Sequence, residues 1–346
     1  MTIRENVSLR NLTTLRIGGD ARFVIDCDTG EDIETAVLEA RKLGLPVFIL
    51  GGGSNVLARD AGYPGVVLRP RIPGVTFSEL RSGSVEVTAG AGILWDELVR
   101  ICVLRCLWGL ENLSGIPGTV GGAVVQNIGA YGAALSGTLV RAEAFDTALL
   151  ASRIYTRDEC RFGYRDSFFK HEGRKHVIMR ATFTLSSVPA PNFSYRDPNR
   201  SYKDVARVLG ENPAPTLADI RTAILSIRAD KFPDLSKEGT AGSFFENPIL
   251  PETHARALQA RYPEMPLFSM PETSDLKVPL AWLLDHVLGL RGFREKRVRL
   301  FEKQALVLVA EDGATAADVE AFADMIAKKV FDATGIVVVR EVRAFG

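Results

Sequence analysis

The chain has 346 residues, 46% of them hydrophobic, enough for two or three domains with a substantial core. Its 42 basic and 42 acidic residues cancel, so bulk electrostatics favour neither a nucleic-acid partner nor an anionic membrane surface, and a small molecule is the expected partner. No stretch reaches the roughly 18 unbroken apolar residues of a membrane span, and the opening MTIRENVSLRNLTTLRIGG lacks the apolar run of a signal peptide, so a cytoplasmic protein is expected.

The first predicted element is a helix over Glu31 to Leu43, with Ile33, Ala36, Val37 and Ala40 at helical spacing. Asp28 or Thr29 can cap it, and Gly44 with Pro46 stops it. A short strand, Val47 to Leu50, then runs into GGGSN, Gly51 to Asn55. Helix, strand and glycine turn make half of a nucleotide-binding unit, and a Rossmann fold is the first candidate. The residues after the turn exclude it: a helix should begin there, yet Val56 to Leu68 holds Gly62, Pro64 and Gly65 before the strand-like GVVLRP.

Strands and turns fill Val66 to Ala89, and Ile93 to Leu107 reads as a helix. Cys102 and Cys106, four apart within it, suit a packed helix face better than a metal site. His171, His176, His254 and His286 are scattered without ligand spacing, so no metal is expected. A second glycine-dense stretch, GLENLSGIPGTVGGAVVQNIGAYG, spans Gly109 to Gly132. Strands are expected within Leu139 to Tyr155 and His176 to Leu185, and the proline-rich Ser186 to Val205 reads as an exposed boundary loop. Thr216, with Asp219 three residues on, caps a helix that carries Ile220, Ile224 and Ile227 on one face and ends before Pro233. Val319, Phe322, Ala323, Ile326, Ala327, Val330 and Phe331 form the stripe of a last helix stopped by Gly335, and IVVVREVRAFG reads as a final strand.

Consecutive glycines remove the Cβ atoms that keep a ligand away and let backbone N–H groups converge on an anion. Both GGGSN and SGIPGTVGG have this character, which suggests a phosphate-bearing ligand held between two layers; tight turns in a strand-rich protein are the other reading. Asn127 and Tyr131 add polar groups to the second loop. In FGYRDSFFK, Arg165 can hold a carboxylate with its planar fork, or else pair with Asp166 at the surface. Ser243, in GTAGSFFENP, is a proton donor, a nucleophile or a plain turn residue, and the text is not a G-x-S-x-G elbow. Glu341, flanked by valines, must be matched by an arginine or stand in a cleft.

Taken together, NLTTLRIGGDARFV, ILGGGSNVL, LSGIPGTVGGAVVQNIGAYG, FGYRDSFFK, GTAGSFFENP, AWLLD, KQALVLV and VREVRAFG resemble the UDP-N-acetylenolpyruvoylglucosamine reductase family, type I, in family order over nearly the whole chain. The resemblance implies an α+β protein: an FAD-binding fold of the vanillyl-alcohol-oxidase/PCMH type in two subdomains, residues 1–60 with the tail 344–346 and residues 61–228, plus a third α+β substrate domain, residues 229–343. It implies that Gly51, Gly52, Gly53, Ser54, Asn55 and Val56, with Ile116, Pro117, Gly118, Thr119, Gly121, Gly122 and Ala123, wrap FAD, and that Gln126, Asn127 and Ala130 lie near it. Arg165, Ser243 and Glu341 match the catalytic positions; Tyr164, Tyr202, Lys231, Asn247 and Gln304, together with Arg165 and Ser243, match substrate positions.

The implied chemistry uses NADPH to reduce FAD, which then reduces the enolpyruvyl ether of UDP-N-acetylglucosamine in peptidoglycan precursor synthesis. Arg165 would stabilise the negative charge that develops, Glu341 would orient the arginine or assist proton movement, and Ser243 would donate the completing proton. A monomer acting on a UDP-sugar is implied. Glu295, Lys296 and Phe268 depart from the family pattern and bear on substrate-domain detail. A relative reducing another enol ether or nucleotide sugar, or a binding protein without turnover, would use the same scaffold; the presence of all three catalytic residues argues for turnover.

Overall fold

The computed structural model describes residues 1–192, 203–210, 212, 214–270 and 273–346. The first sheet takes β1 (Thr2–Ser8), β2 (Asp20–Cys27), β3 (Val47–Ile49) and, after the short β4 (Val56–Ala58), β5 (Tyr63–Pro70), in the order β1-β2-β5-β3. Parallel pairing of β5 to both β2 and β3 puts Val66, Val67 and Leu68 in the middle of the sheet, buried on both faces, which explains their unbroken apolar run. This sheet therefore reaches past residue 60 to Pro70. Helix α1 (Gly30–Lys42) connects β2 to β3; Thr29 and Asp32 form its capping box, and Ile33, Ala36, Val37 and Ala40 are buried, as the spacing requires. No helix follows the glycine turn, so the Rossmann alternative fails in the structure as in the sequence.

A five-stranded antiparallel sheet, β11-β10-β12-β7-β6, forms the second layer from β6 (Val75–Glu79), β7 (Ser84–Gly90), β10 (Leu139–Asp146), β11 (Ala151–Thr156) and β12 (His176–Ser186). Two helices, α2 (Trp95–Leu104) and α3 (Val120–Gln126), and a small hairpin, β8 (Gly129–Ala130) with β9 (Ala133–Ala134), come between β7 and β10. Trp95, Leu98, Val99 and Cys102 of α2 are fully buried in this layer's core. The helix stops at Leu104, short of the expected Leu107, because the N–H of Leu107 turns back to the Cys102 carbonyl. Cys106 thereby takes a left-handed φ of 58° and is exposed, so only Cys102 belongs to the packed face.

Helix α4 (Lys203–Leu209) packs on α5 (Leu217–Lys231), whose capping box joins Thr216 and Asp219 as the sequence predicts. The third unit pairs β13 (Gly239–Ser243), β17 (Arg294–Glu295), β18 (Val298–Phe301) and β19 (Gln304–Ala310) in the order β13-β19-β18-β17. Around that sheet lie α6 (Glu252–Arg261), a three-stranded patch of β14 (Ile249–Leu250), β15 (Phe268–Ser269) and β16 (Leu276–Lys277), and α7 (Leu280–Trp282), which runs into a π-helical turn at Leu283–Val287. The last helix, α8 (Ala316–Thr334), has a Thr315/Asp318 capping box and ends on left-handed Gly335. Val319, Phe322, Ala323, Ile326 and Val330 face the core, but Phe331 is 52% exposed: one residue beyond Val330, it is rotated about 100° off the stripe.

The expected final strand is broken. Only β20 (Arg343–Phe345) is a strand, pairing in parallel with β4, while Arg340 and Glu341 pair instead with Phe245 and Phe244. The chain end thus serves two units, and Phe345 stacks on Phe48 of the first sheet at 3.9 Å between ring centres. Among the described residues no helix is long and apolar enough to cross a membrane.

Candidate active site

The two glycine loops, distant in sequence, face each other. A Cβ built on Gly52 would lie 2.6 Å from Gly118 Cα, and one on Gly53, at φ +68°, would lie 2.0 Å from the Leu12 carbonyl oxygen. A side chain at either position would collide with backbone, and the bare backbone lines a cavity of about 770 Å³. Ser54 Oγ donates to Pro117 O at 3.2 Å, joining the loops, and Thr119 caps α3 by accepting from Gly122 N.

The cavity is lined by Gly51 to Val56, by Ile116, Pro117, Gly118, Thr119, Gly121, Gly122 and Ala123, and by Gln126 and Ala130. Arg165, Ser243 and Glu341 line the same cavity. Its size is that of a ligand pocket, and a bare-backbone cradle beside apolar Leu50, Ile116, Ile128 and Ile178 fits a phosphate-bearing cofactor with a flat ring system.

Arg165 sits at the tip of a two-residue turn closed by Gly163 N to Asp166 O (3.0 Å) and Asp166 N to Gly163 O (3.2 Å). Its φ of +54° is the left-handed value usually given to glycine at that turn position. The guanidinium Nη2 donates to Gly129 O at 2.6 Å, and Nε stands 3.4 Å from Glu341 Oε1. Asp166 is occupied by His171, at 2.8 and 2.9 Å, so the surface-pair reading of Arg165 does not hold. Glu341, 14% exposed, accepts from Gln126 Nε2 at 2.8 Å, so it is both matched by an arginine and placed in the cleft.

Ser243 reaches the cavity through a break in register between Thr240 and Ser243, where left-handed Gly242 (φ +76°) donates its N–H to Thr240 Oγ1. The Glu341 N–H bonds the adjacent Phe244 carbonyl, which brings the serine and the carboxylate segments together. Among the described residues the Ser243 hydroxyl has no hydrogen-bond partner.

Other expected residues stand elsewhere. Asn127 does not line the cavity; its side chain bonds Gly163 O and Ser136 N. Tyr164 and Asn247 meet each other outside it, Asn247 Nδ2 donating to Tyr164 Oη at 3.3 Å while its Oδ1 accepts from Leu280 N. Burial pushes the Tyr164 hydroxyl above its usual pKa. Lys231 is paired with Asp204, and Gln304 opens β19 opposite Phe301. Tyr202 lies outside the described residues. Of the departures, Lys296 pairs with Asp318, Glu295 ends an exposed edge strand, and Phe268 is buried with Lys277 over its ring.

Three cavity-lining cations were not anticipated: Arg228, Arg343 and Lys170, whose Nζ donates to Arg165 O at 2.7 Å. Arg228 lies on α5, where its Nε donates to Gly115 O at 2.9 Å and burial pushes its pKa down. One heptad earlier, Arg221 forks onto Asp96 at 2.7 and 2.8 Å, and Asp96 accepts Gly115 N at 2.6 Å. Burial raises the Asp96 pKa, but these partners outweigh it and hold the carboxyl below its usual value. The seven-residue spacing of Arg221 and Arg228 was the available signal. Arg343, two residues after Glu341, lines the cavity as well.

Residues 21–146 match the FAD binding domain family, and residues 234–345 match the C-terminal domain of UDP-N-acetylenolpyruvoylglucosamine reductase. The chain is 38% identical to UDP-N-acetylenolpyruvoylglucosamine reductase of Pseudomonas aeruginosa, over 95% of each chain. It is 40% identical to that of Ralstonia nicotianae, over 93% of each. The crystal structure of UDP-N-acetylenolpyruvylglucosamine reductase from Thermus caldophilus superposes over 100% of both chains with a TM-score of 0.68 at 24% identity. 6-Hydroxy-D-nicotine oxidase from Arthrobacter nicotinovorans shares the fold, with a TM-score of 0.54 at 15% identity over 98% of this chain and 86% of its own.

Proposed function

The chain belongs to the UDP-N-acetylenolpyruvoylglucosamine reductase family, and from that premise we propose that it reduces the enolpyruvyl ether of UDP-N-acetylglucosamine to UDP-N-acetylmuramate, with bound FAD and NADPH as reductant, in peptidoglycan precursor synthesis. The observation that carries this is the Arg165–Glu341 pair standing with Ser243 in one glycine-cradled cavity.

FAD, when bound, supplies the two-electron transfer from NADPH to the alkene. Gly51 to Val56, with Ile116, Pro117, Gly118, Thr119, Gly121, Gly122 and Ala123, would hold it, and Arg228 and Arg343 would offset its phosphate charge. Arg165 faces the substrate carboxylate and stabilises the charge that develops beside it, a contribution of about 3 to 4 kcal/mol for a preorganised donor. Glu341, held by Gln126, keeps the guanidinium oriented. Ser243 Oγ gives its proton to the carbon next to the carboxylate and is reprotonated from water; proximity compensates for its weak acidity. Tyr164, Asn247, Lys231, Gln304 and Tyr202 are proposed for the nucleotide-sugar, on the same grounds of family position.

We assign residues up to Pro70, with the tail 344–346, to the first FAD subdomain, the segment to residue 228 to the second, and 229–343 to the substrate domain, since β20 pairs with β4 and β5 belongs to the first sheet. We propose a cytoplasmic monomer acting on a UDP-sugar. The purified protein is expected to be yellow, to bleach anaerobically with NADPH, and to regain colour with the enolpyruvyl nucleotide-sugar. A colourless protein that takes up no FAD, or a bleached one that this substrate does not reoxidise, refutes the reading.

A further inference from the structure

Arg165 is held in place from behind the cavity. The turn that carries it is disfavoured in isolation, because its left-handed φ falls on an arginine, so the turn needs anchors outside itself. Both of its arms are tied to the C-terminal end of α3. Asn127 Nδ2 donates to Gly163 O at 2.8 Å on the incoming arm, and Ser167 Oγ donates to Val125 O at 2.7 Å on the outgoing arm. Asn127 is itself rigid: it is 6% exposed, adopts φ +44° as the cap of α3, and accepts Ser136 N on Oδ1 at 3.1 Å. The neighbouring Gln126 holds Glu341, the partner of Arg165.

We propose that Asn127 is a positioning residue for Arg165, with the end of α3 setting the register of the catalytic ion pair: Gln126 fixes the carboxylate and Asn127 fixes the turn that presents the guanidinium. The proposal rests on the reductase reading of the same site. Asparagine is suited to this position for two reasons. It tolerates the left-handed conformation, and its amide supplies a donor to one loop and an acceptor to another at once.

Asn127→Asp keeps the acceptor and the backbone tolerance but turns the donor into an anion facing the Gly163 carbonyl. It is expected to leave FAD content and the rate of bleaching by NADPH within about twofold of wild type. Reoxidation by the enolpyruvyl nucleotide-sugar slows about ten- to hundredfold, as for a catalytic group displaced by a fraction of an ångström to an ångström. In an Arg165→Met background the same change adds less than twofold, because the residue it acts through is gone. Equal reoxidation rates in Asn127→Asp and wild type, or equal slowing in both backgrounds, overturn the proposal. If Asn127→Asp folds poorly, Asn127→Gly, which keeps the left-handed conformation and loses both side-chain bonds, is judged by the same cycle. Independently of turnover, the Arg165 Nε–H resonance of protein made with isotope-labelled arginine, assigned by its loss in Arg165→Met, should move on Asn127→Asp. An unmoved resonance overturns the proposal even if the wild-type protein proves to act on another substrate, whereas failure of wild-type reoxidation alone refutes only the reductase reading.

Discussion

Gly52→Ala is the sharpest test of the cradle. The added methyl carbon would lie 2.6 Å from Gly118 Cα and 3.0 Å from Gly118 C. Carbon atoms rest comfortably at about 3.5 to 4.0 Å, so the loops must part by roughly 1 Å, and since both sides are backbone no rotamer change can absorb the strain. Overpacking of this kind costs about 1 to 3 kcal/mol. Because the two loops close on the cofactor, that cost falls on binding and raises the FAD dissociation constant about 5- to 150-fold. Titrating FAD into apoprotein and following flavin fluorescence measures it. Gly137→Ala, where an added Cβ meets nothing within 4 Å, is the control and should bind as wild type does. Binding by Gly52→Ala within twofold of wild type would show that the loops do not meet as described.

Ser243→Ala should leave anaerobic bleaching by NADPH nearly intact and slow only reoxidation; equal loss of both half-reactions would mark the serine as structural. Phe345→Ala removes the ring stacked on Phe48 and should cost about 3 to 5 kcal/mol in urea unfolding, while a loss below about 1 kcal/mol would detach the tail from the core. Glu111 is buried, and burial raises its pKa against the opposing Gly109 N–H. The unfolded chain therefore releases this proton at lower pH than the folded one, and folding loses stability as pH rises through that interval. Glu111→Gln, with no proton to lose, should gain in melting temperature over wild type as pH rises above the ordinary glutamate range; a difference that does not widen contradicts the assignment.

The parts of the fold that are local were readable from the text. Thr29, Thr216 and Thr315 each meet an aspartate three residues on, so three helix starts needed no tertiary information. Both glycine loops were recognisable as loops, yet nothing local says that Gly52 meets Gly118, because that contact depends on how two sheets pack. The misread ends have the same origin. Cys106 and Phe331 follow an apolar rhythm one step further than the helix or its buried face extends, and the β-branched tail divides between two partners that the rhythm cannot distinguish. The pairing of Arg165 with Glu341 rather than Asp166 was not readable from the local residues, since a strained turn and the end of α3 decide it; only the family resemblance pointed to it. Arg228 was passed over because its surroundings look like an ordinary helix; only its spacing from Arg221 sets it apart.

The divided tail has a consequence for how the protein is made. Glu341 pairs with Arg165, and the residues just beyond it close against β4, which was synthesised long before them. A nascent chain that has emerged only to residue 340 can fold much of its first two layers, yet it has neither a carboxylate for the arginine nor the strand that pairs with β4. Competence at this site therefore waits on residues 341–345, which follow every other segment that lines it.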